Sequence, residues 1–312
     1  MCISLLNTLK RAESYAYDAV SSSGDFMKDA VSQPPISKRV VAATALATSL
    51  AIATPNPAQA IPLRDLIFRG IQVIQLSNLS NQQERELGEQ IHRNLQSQGM
   101  RLHQGQTLNR YVNRIGQRLV EAGARRRKVA YRFQVVDDKR VNAFATMGGR
   151  VYVTTGLINA ADNEAQLASV IGHEIGHIDR KHLVKQIRKT MVAQGLTTAV
   201  TGSNRSQVAN IGVNLLVSRP QSRSDEYDAD REGLRILRAA DYATSAMPAF
   251  MRKLVSSRST PTFLSTHPAV PDRVVRLEQD IQSGPKNVCD SNPDLRSCGL
   301  SESRYRQLVG SR

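Results

Sequence analysis

Apolar residues recur at helical spacing along most of the chain and alternate only in one short central stretch. Residues 61–80 place Leu63, Ile67, Phe68, Ile71, Ile74 and Leu76 in a stripe that can dock on a core or touch a membrane surface. A helical pattern begins at Asn81 and ends at Gly99. A second follows, with Leu108, Val112, Ile115, Leu119 and Val120 on one face. A basic turn, 125–128, leads to an alternating, β-rich run from Tyr131. Short extended segments are expected over 141–145 and 150–155, with Met147-Gly148-Gly149 turning the chain between them. From about Asn163 to beyond His182 the pattern is one helix, and 183–217, 224–239, 243–257 and 272–282 also read as helical. The fold class is therefore α+β, a small sheet set among many helices.

Ahead of this lies a segment of different character. Lys38-Arg39 precede an apolar run from Val40 to Ala53, and Ala58-Gln59-Ala60 follows. A basic flank, a short apolar run and a small-x-small site describe an export signal, with cleavage near Ala60 and Met1 or Met27 as the start. The run is short of the roughly 20 apolar residues a membrane span needs, although retention as an anchor stays open. The organisation expected is a leader at 1–60, an amphipathic lead-in at 61–80, a main domain at 81–283 and a tail at 284–312. The tail holds Cys289 and Cys298 around a turn-forming stretch, and an exported chain would bridge them.

Charge changes the picture little. The excess of 42 Lys+Arg over 27 Asp+Glu gives +15, but it is spread along the chain and aromatic residues make up only 4%. Nucleic acid is not expected, because single-strand binders need stacking aromatics beside their cations.

The chemistry concentrates in IGHEIGHIDRKH. His173 and His177 are four apart and share a helical face, where two imidazoles can grip one metal ion. Glu174, one residue on, reaches a water beside the metal as general base. The helix is otherwise apolar, so histidine and glutamate buried in it without a partner would be costly. Position 183 is Leu, which removes a third histidine at metzincin spacing. His182 is five residues beyond His177 and rotated off the face, so a structural or supporting place is expected for it. A carboxylate is the better third ligand. In SRSDEYDADREG, Glu226 and Asp230 lie one turn apart: Glu226 can bind the metal and Asp230 can accept the free N–H of a ligating imidazole. A solvated acidic helix is the plainer alternative for that segment.

The ordered set Asn142-Ala143-Phe144-Ala145, Gly148-Gly149, Thr155-Gly156-Leu157, HEIGH with His182, Ser222-Arg223, Glu226, Ala229-Asp230, Gly233, and Thr266-His267-Pro268 with Arg273 resembles metallopeptidase family 48 over about residues 80–282. The resemblance implies a mainly helical zincin-like (gluzincin) domain whose edge strand, Asn142 to Ala145, lines the cleft and holds an extended peptide. It implies one zinc ion per chain on His173, His177 and Glu226, catalysis by Glu174, support from Asp230 and His182, and substrate contacts at Arg223 and Arg273. It also places His267 at the metal, as a gate or as a hydrogen-bond donor to the developing oxyanion. The plainer reading is a surface histidine capping the helix near Asp272. The transmembrane helices of the prenyl-protease and heat-shock branches are missing, so the chain is similar to the soluble, exported branch. The expected function is zinc-dependent endoproteolysis of misfolded or misassembled envelope proteins in the periplasm or another extracytoplasmic compartment. Its partners are protein or peptide substrates, with peripheral membrane contact through 61–76. The alternative is a gated, weakly proteolytic, chaperone-like binding protein.

Overall fold

The computed structural model describes residues 74–310 apart from 124–128, 197–198, 201, 203, 219–221, 258–259 and 269. The leader, its cleavage site, residues 61–73 of the apolar stripe and the basic turn lie outside the described residues. β1 (Ile74–Gln75) leads to α1 (Asn81–Ser97), whose start is fixed by a reciprocal cap: Ser80 Oγ accepts from the Gln83 N–H, and the Gln83 side chain accepts from the Ser80 N–H. α2 (Gln106–Ala122) follows, then β2 (Arg132–Val136), β3 (Ala143–Ala145) and β4 (Arg150–Thr154). The sheet order is β2-β4-β3, with β2 parallel and β3 antiparallel to β4. β3 is thus an edge strand, and Ala143 pairs with Val153 while Ala145 pairs with Val151. The turn between β3 and β4 needs glycine: Gly148 has φ 74°, and a Cβ there would sit 2.8 Å from the Arg85 Cα on α1.

The rest is helical: α3 (Thr155–Ala160), α4 (Glu164–Asp179), α5 (His182–Ala193), then β5 (Ala199–Val200), α6 (Arg205–Ser218), α7 (Arg223–Ala239), α8 (Ala246–Val255), α9 (Thr262–Thr266), α10 (Val270–Ser283), α11 (Val288–Ser291) and α12 (Glu302–Gly310). Two sequence expectations are corrected. The helix expected from 163 past 182 stops at Arg180, because Lys181 takes a left-handed conformation at φ 56°. That conformation costs an L-residue about 1–2 kcal/mol, and the Lys181 Nζ is tied to buried Glu84 at 3.0 Å. The stretch 183–217 is likewise two helices, separated by β5, which pairs with β1. The first break has no glycine or proline to mark it, whereas Gly195 and Gly202-Ser203-Asn204 are turn signals for the second that a reading by apolar spacing passes over. The short helices α3, α9, α11 and α12 also escaped a reading built on long periodic windows.

One apolar cluster joins α2, the sheet, α4, α7, α8 and α12; a second joins α1, α5 and α6. The tail closes onto the first: Cys289 and Cys298 are disulfide-bonded, Tyr305 is buried, and its hydroxyl donates to the Ile158 carbonyl at 2.6 Å.

α4 is buried on every side from Ala165 to Ile178. It meets α7 through small residues. A Cβ on Gly176 would lie 2.8 Å from the Ala229 carbonyl oxygen, and one on Gly233 would lie 2.9 Å from the His173 backbone nitrogen. We expect Gly233→Ala to force the two helices apart, lowering stability by about 1–3 kcal/mol in urea unfolding. Gly310→Ala, where a Cβ meets nothing within 4 Å, should change stability by under about 0.5 kcal/mol.

Candidate metal centre

Asn163 caps α4, and one face of that helix carries His173 and His177 inward. Ser222 caps α7, which places Glu226 and Asp230 on the facing side. The close glycine crossing brings these faces together. His173 Nε2 and His177 Nε2 are 3.0 Å apart, and Glu226 lies 3.5 Å from the first and 3.4 Å from the second. His267, capping the C-terminus of α9, completes the group: its Nδ1 is 3.3 Å from His173 Nε2 and 3.0 Å from Glu226 Oε1. The four ligand atoms all lie within 4.8 Å of one another, and all four residues are buried.

The surroundings orient this set. His173 Nδ1 lies 2.9 Å from Asp230, and His177 Nδ1 lies 2.8 Å from His182 Nδ1. With their Nδ1 atoms so engaged, the two imidazoles turn Nε2 lone pairs toward one point. Three imidazole nitrogens and a carboxylate oxygen converging in a buried space fit a divalent transition metal.

Without a metal the two histidines divide the available proton. Burial opposes charge on His173, but the Asp230 and Glu226 carboxylates beside the ring outweigh it and push it up to about 9. Burial drives His177 down to about 3. Glu226 is also opposed by burial, yet the surrounding histidines hold its carboxyl well below the usual range. Glu174 is raised by burial, and the Ala145 N–H bonds it from the edge strand. Its Oε1 has no hydrogen-bond partner and faces His267 Nε2 at 3.5 Å.

The other residues singled out in the sequence fall as follows. Asp230 lies beside the His173 ring, with its Oδ1 2.9 Å from Nδ1. His182 does not rotate away: the break at Lys181 starts a new helix and returns the imidazole to His177. Ala143, Phe144 and Ala145 form the edge strand, and Phe144 and Ala145 line a cleft beside Glu174, His177, Leu216 and His267. Asn142 precedes the strand and lines an adjoining pocket of about 260 Å³ that shares Phe144, Leu216 and Thr266 with the cleft. Arg223 stands exposed at the start of α7 and does not line the cleft. Arg273, expected to meet substrate, is buried with its guanidinium fully occupied. It donates through Nε and one terminal nitrogen to Asp230, both at 2.7 Å, and through the other to the His267 carbonyl at 3.2 Å, and that last nitrogen also pairs by charge with Glu226 at 2.6 Å. It is a clamp on three residues of the centre. No sequence spacing announces this, because α10 is distant in the chain from α7. His267 is not a surface cap either: it is buried and stacked on Phe263, ring centres 4.5 Å apart.

Removing the clamp strands two buried carboxylates. Arg273→Met should cost about 3–5 kcal/mol in chemical unfolding and about 10–100-fold in metal affinity measured against a chelator. Arg273→Lys should restore part of the stability and little of the affinity, since an ammonium cannot span both carboxylates.

The sequence matches the model of Peptidase family M48 over residues 106–281. It is 29% identical over 254 residues to the Beta-barrel assembly-enhancing protease of Escherichia coli (strain K12), covering 75% of this chain and 52% of the relative. The protein of the same name from Yersinia pestis is 33% identical over 181 residues, 53% of this chain and 37% of the relative. The Mitochondrial metalloendopeptidase OMA1 of Arabidopsis thaliana is 32% identical over 153 residues, 48% and 32% respectively. The chain spans about half the length, or less, of these curated relatives. The matched span holds both histidines of the central helix, the α7 carboxylates, His267 and their arginine clamp; the chain belongs to peptidase family M48.

Proposed function

We propose that the chain is an exported zinc endopeptidase that cleaves envelope proteins. The observation that carries this reading is the convergence of His173, His177 and Glu226 next to Glu174, at the end of an edge strand. In this reading His173, His177 and Glu226 hold one zinc ion. Zinc bound there supplies the Lewis acidity that polarises a peptide carbonyl and acidifies water. Glu174, held by the Ala145 N–H, takes a proton from the attacking water. It returns that proton to the amine as the C–N bond breaks. Asp230 and His182 fix the rings of His173 and His177. An extended peptide adds to the free side of β3, and its side chains alternate between the cleft and the pocket at Asn142 and Phe144. Such pairing uses backbone groups, which suits substrates without a shared sequence.

The compartment and substrate class rest on three supports. The leader reads as an export signal, and the disulfide fits an oxidising compartment. The bacterial relatives bear a name tied to β-barrel assembly.

A second reading, a gated protease that binds more than it cuts, is favoured by one feature. His267 stands where an open coordination position is needed, and the cleft beside it encloses only about 30 Å³. The cleft is thus narrow beside His267. His267 is thus assigned as a gate, rather than as an oxyanion donor.

Two variants test these roles. Glu174→Gln should retain one zinc per chain by metal analysis and lose about 10²–10⁴-fold in cleavage of an unfolded protein; loss of zinc would contradict the assignment of Glu174 to water. His267→Ala should keep zinc on the three remaining ligands and raise cleavage several-fold in the same assay. A large fall in rate with zinc retained would make His267 a transition-state donor of the kind worth about a hundredfold or more.

A further inference from the structure

Outside the metal centre, four arginines from three separate segments surround one surface pocket of about 270 Å³: Arg114 and Arg118 from α2, Arg296 from the disulfide-closed loop and Arg304 from α12. One carboxylate lines this pocket, that of Glu164, and both its oxygens are engaged, by the Tyr111 hydroxyl at 2.8 Å and the Tyr242 hydroxyl at 2.9 Å. The pocket is therefore strongly cationic.

The arginines are held in place from within the protein. Arg114 lies over the Tyr111 ring at 5.1 Å and Arg118 over the Tyr242 ring at 4.0 Å. Arg118 also donates to the carbonyls of Asp241 and Ser297. The loop bearing Arg296 is tied back by the Cys289–Cys298 bridge and by the Ala243 N–H donating to the Cys298 carbonyl. Among the described residues, Arg114, Arg296 and Arg304 have no carboxylate partner. Like charges one turn apart, as at Arg114 and Arg118, cost a helix a few tenths of a kcal/mol. Such an arrangement is favourable when an anion sits among the cations.

We propose that this pocket binds a phosphate group. Guanidinium forks match phosphate oxygens in pairs, and four of them can share one dianionic head. The phosphate can be that of a lipid headgroup or of a soluble ester. Leu308 in the wall offers apolar contact for the rest of the ligand. The site shares no lining residue with the cleft at the metal, so its occupancy is independent of the proteolytic reading.

The test uses the full exported chain with two kinds of probe: inorganic phosphate by calorimetry, and vesicles of phosphatidylcholine with or without phosphatidylglycerol by co-sedimentation. Arg296→Gln with Arg304→Gln removes two exposed guanidiniums that make no side-chain hydrogen bond or ion pair among the described residues, so stability should change little. Arg188→Gln with Lys189→Gln removes the same charge from the exposed face of α5. The expected result is binding of at least one probe, weakened tenfold or more by the pocket variant and less than twofold by the α5 variant. The arm that binds identifies the source of the phosphate. Binding of neither probe, or equal weakening by both variants, overturns the proposal, since the second outcome reports net charge alone.

Discussion

The metal centre exists because two helices approach closer than ordinary side chains allow. Gly172 and Gly176 on α4 face Ala229 and Gly233 on α7, backbone almost against backbone. A methyl group at Gly233 would already meet the His173 nitrogen. That separation sets the distance at which Glu226 reaches His173 and His177. The geometry of the site is therefore a packing result before it is an electrostatic one. It also explains why α4 is sunk in the protein on every side: a helix embedded between the sheet and α7 cannot slide, and interiors packed to crystal-like density transmit small changes directly to the ligands.

Electrostatics then has to make the buried charges tolerable. Glu226 and Asp230 are both almost fully buried, and two carboxylates in a low-dielectric space repel. Arg273 sits between them and also holds the carbonyl of His267. One guanidinium thus couples Glu226, Asp230 and the loop bearing the third imidazole of the set. Burial raises the Asp230 carboxyl, and Arg273 overrides it and leaves it below its ordinary value. Any movement of the His267 loop has to be accommodated by this clamp, through the bond to the His267 carbonyl. The same loop is tied to the edge strand from the other side, because the Phe263 N–H donates to the Val141 carbonyl. The backbone just ahead of β3 and the segment that carries His267 are therefore linked through a few residues.

The two halves of the structure carry different duties. The cluster of α1, α5 and α6 forms the roof over the cleft, contributing Leu183, Val184, Leu215 and Leu216 to its lining. The cluster of α2, α4, α7, α8 and α12 holds the metal helices, and the disulfide-closed tail packs on its far elements. The arginine pocket is built on this second, rigid half. Its components are remote in the chain, and folding brings four scattered arginines to one pocket.

By itself the sequence determined whatever depends on spacing within one element. Four-residue spacing put His173 and His177 on one helical face and Glu226 and Asp230 on another; apolar periodicity marked α1, α2, α4 and α7; two nearby cysteines and a turn between them marked the disulfide loop. These are local because a helix repeats every 3.6 residues regardless of its neighbours. The family resemblance added His267 and the edge strand. Tertiary structure alone decided the rest. Lys181 broke a helix that periodicity continued, which returned His182 to His177. Arg273 moved from an expected substrate contact to a buried clamp. His267 took the fourth corner of the donor set, and scattered arginines became one pocket. Each of these depends on where separate elements meet, and a contact between distant segments is fixed by the packing of the whole chain, which no spacing along the sequence encodes.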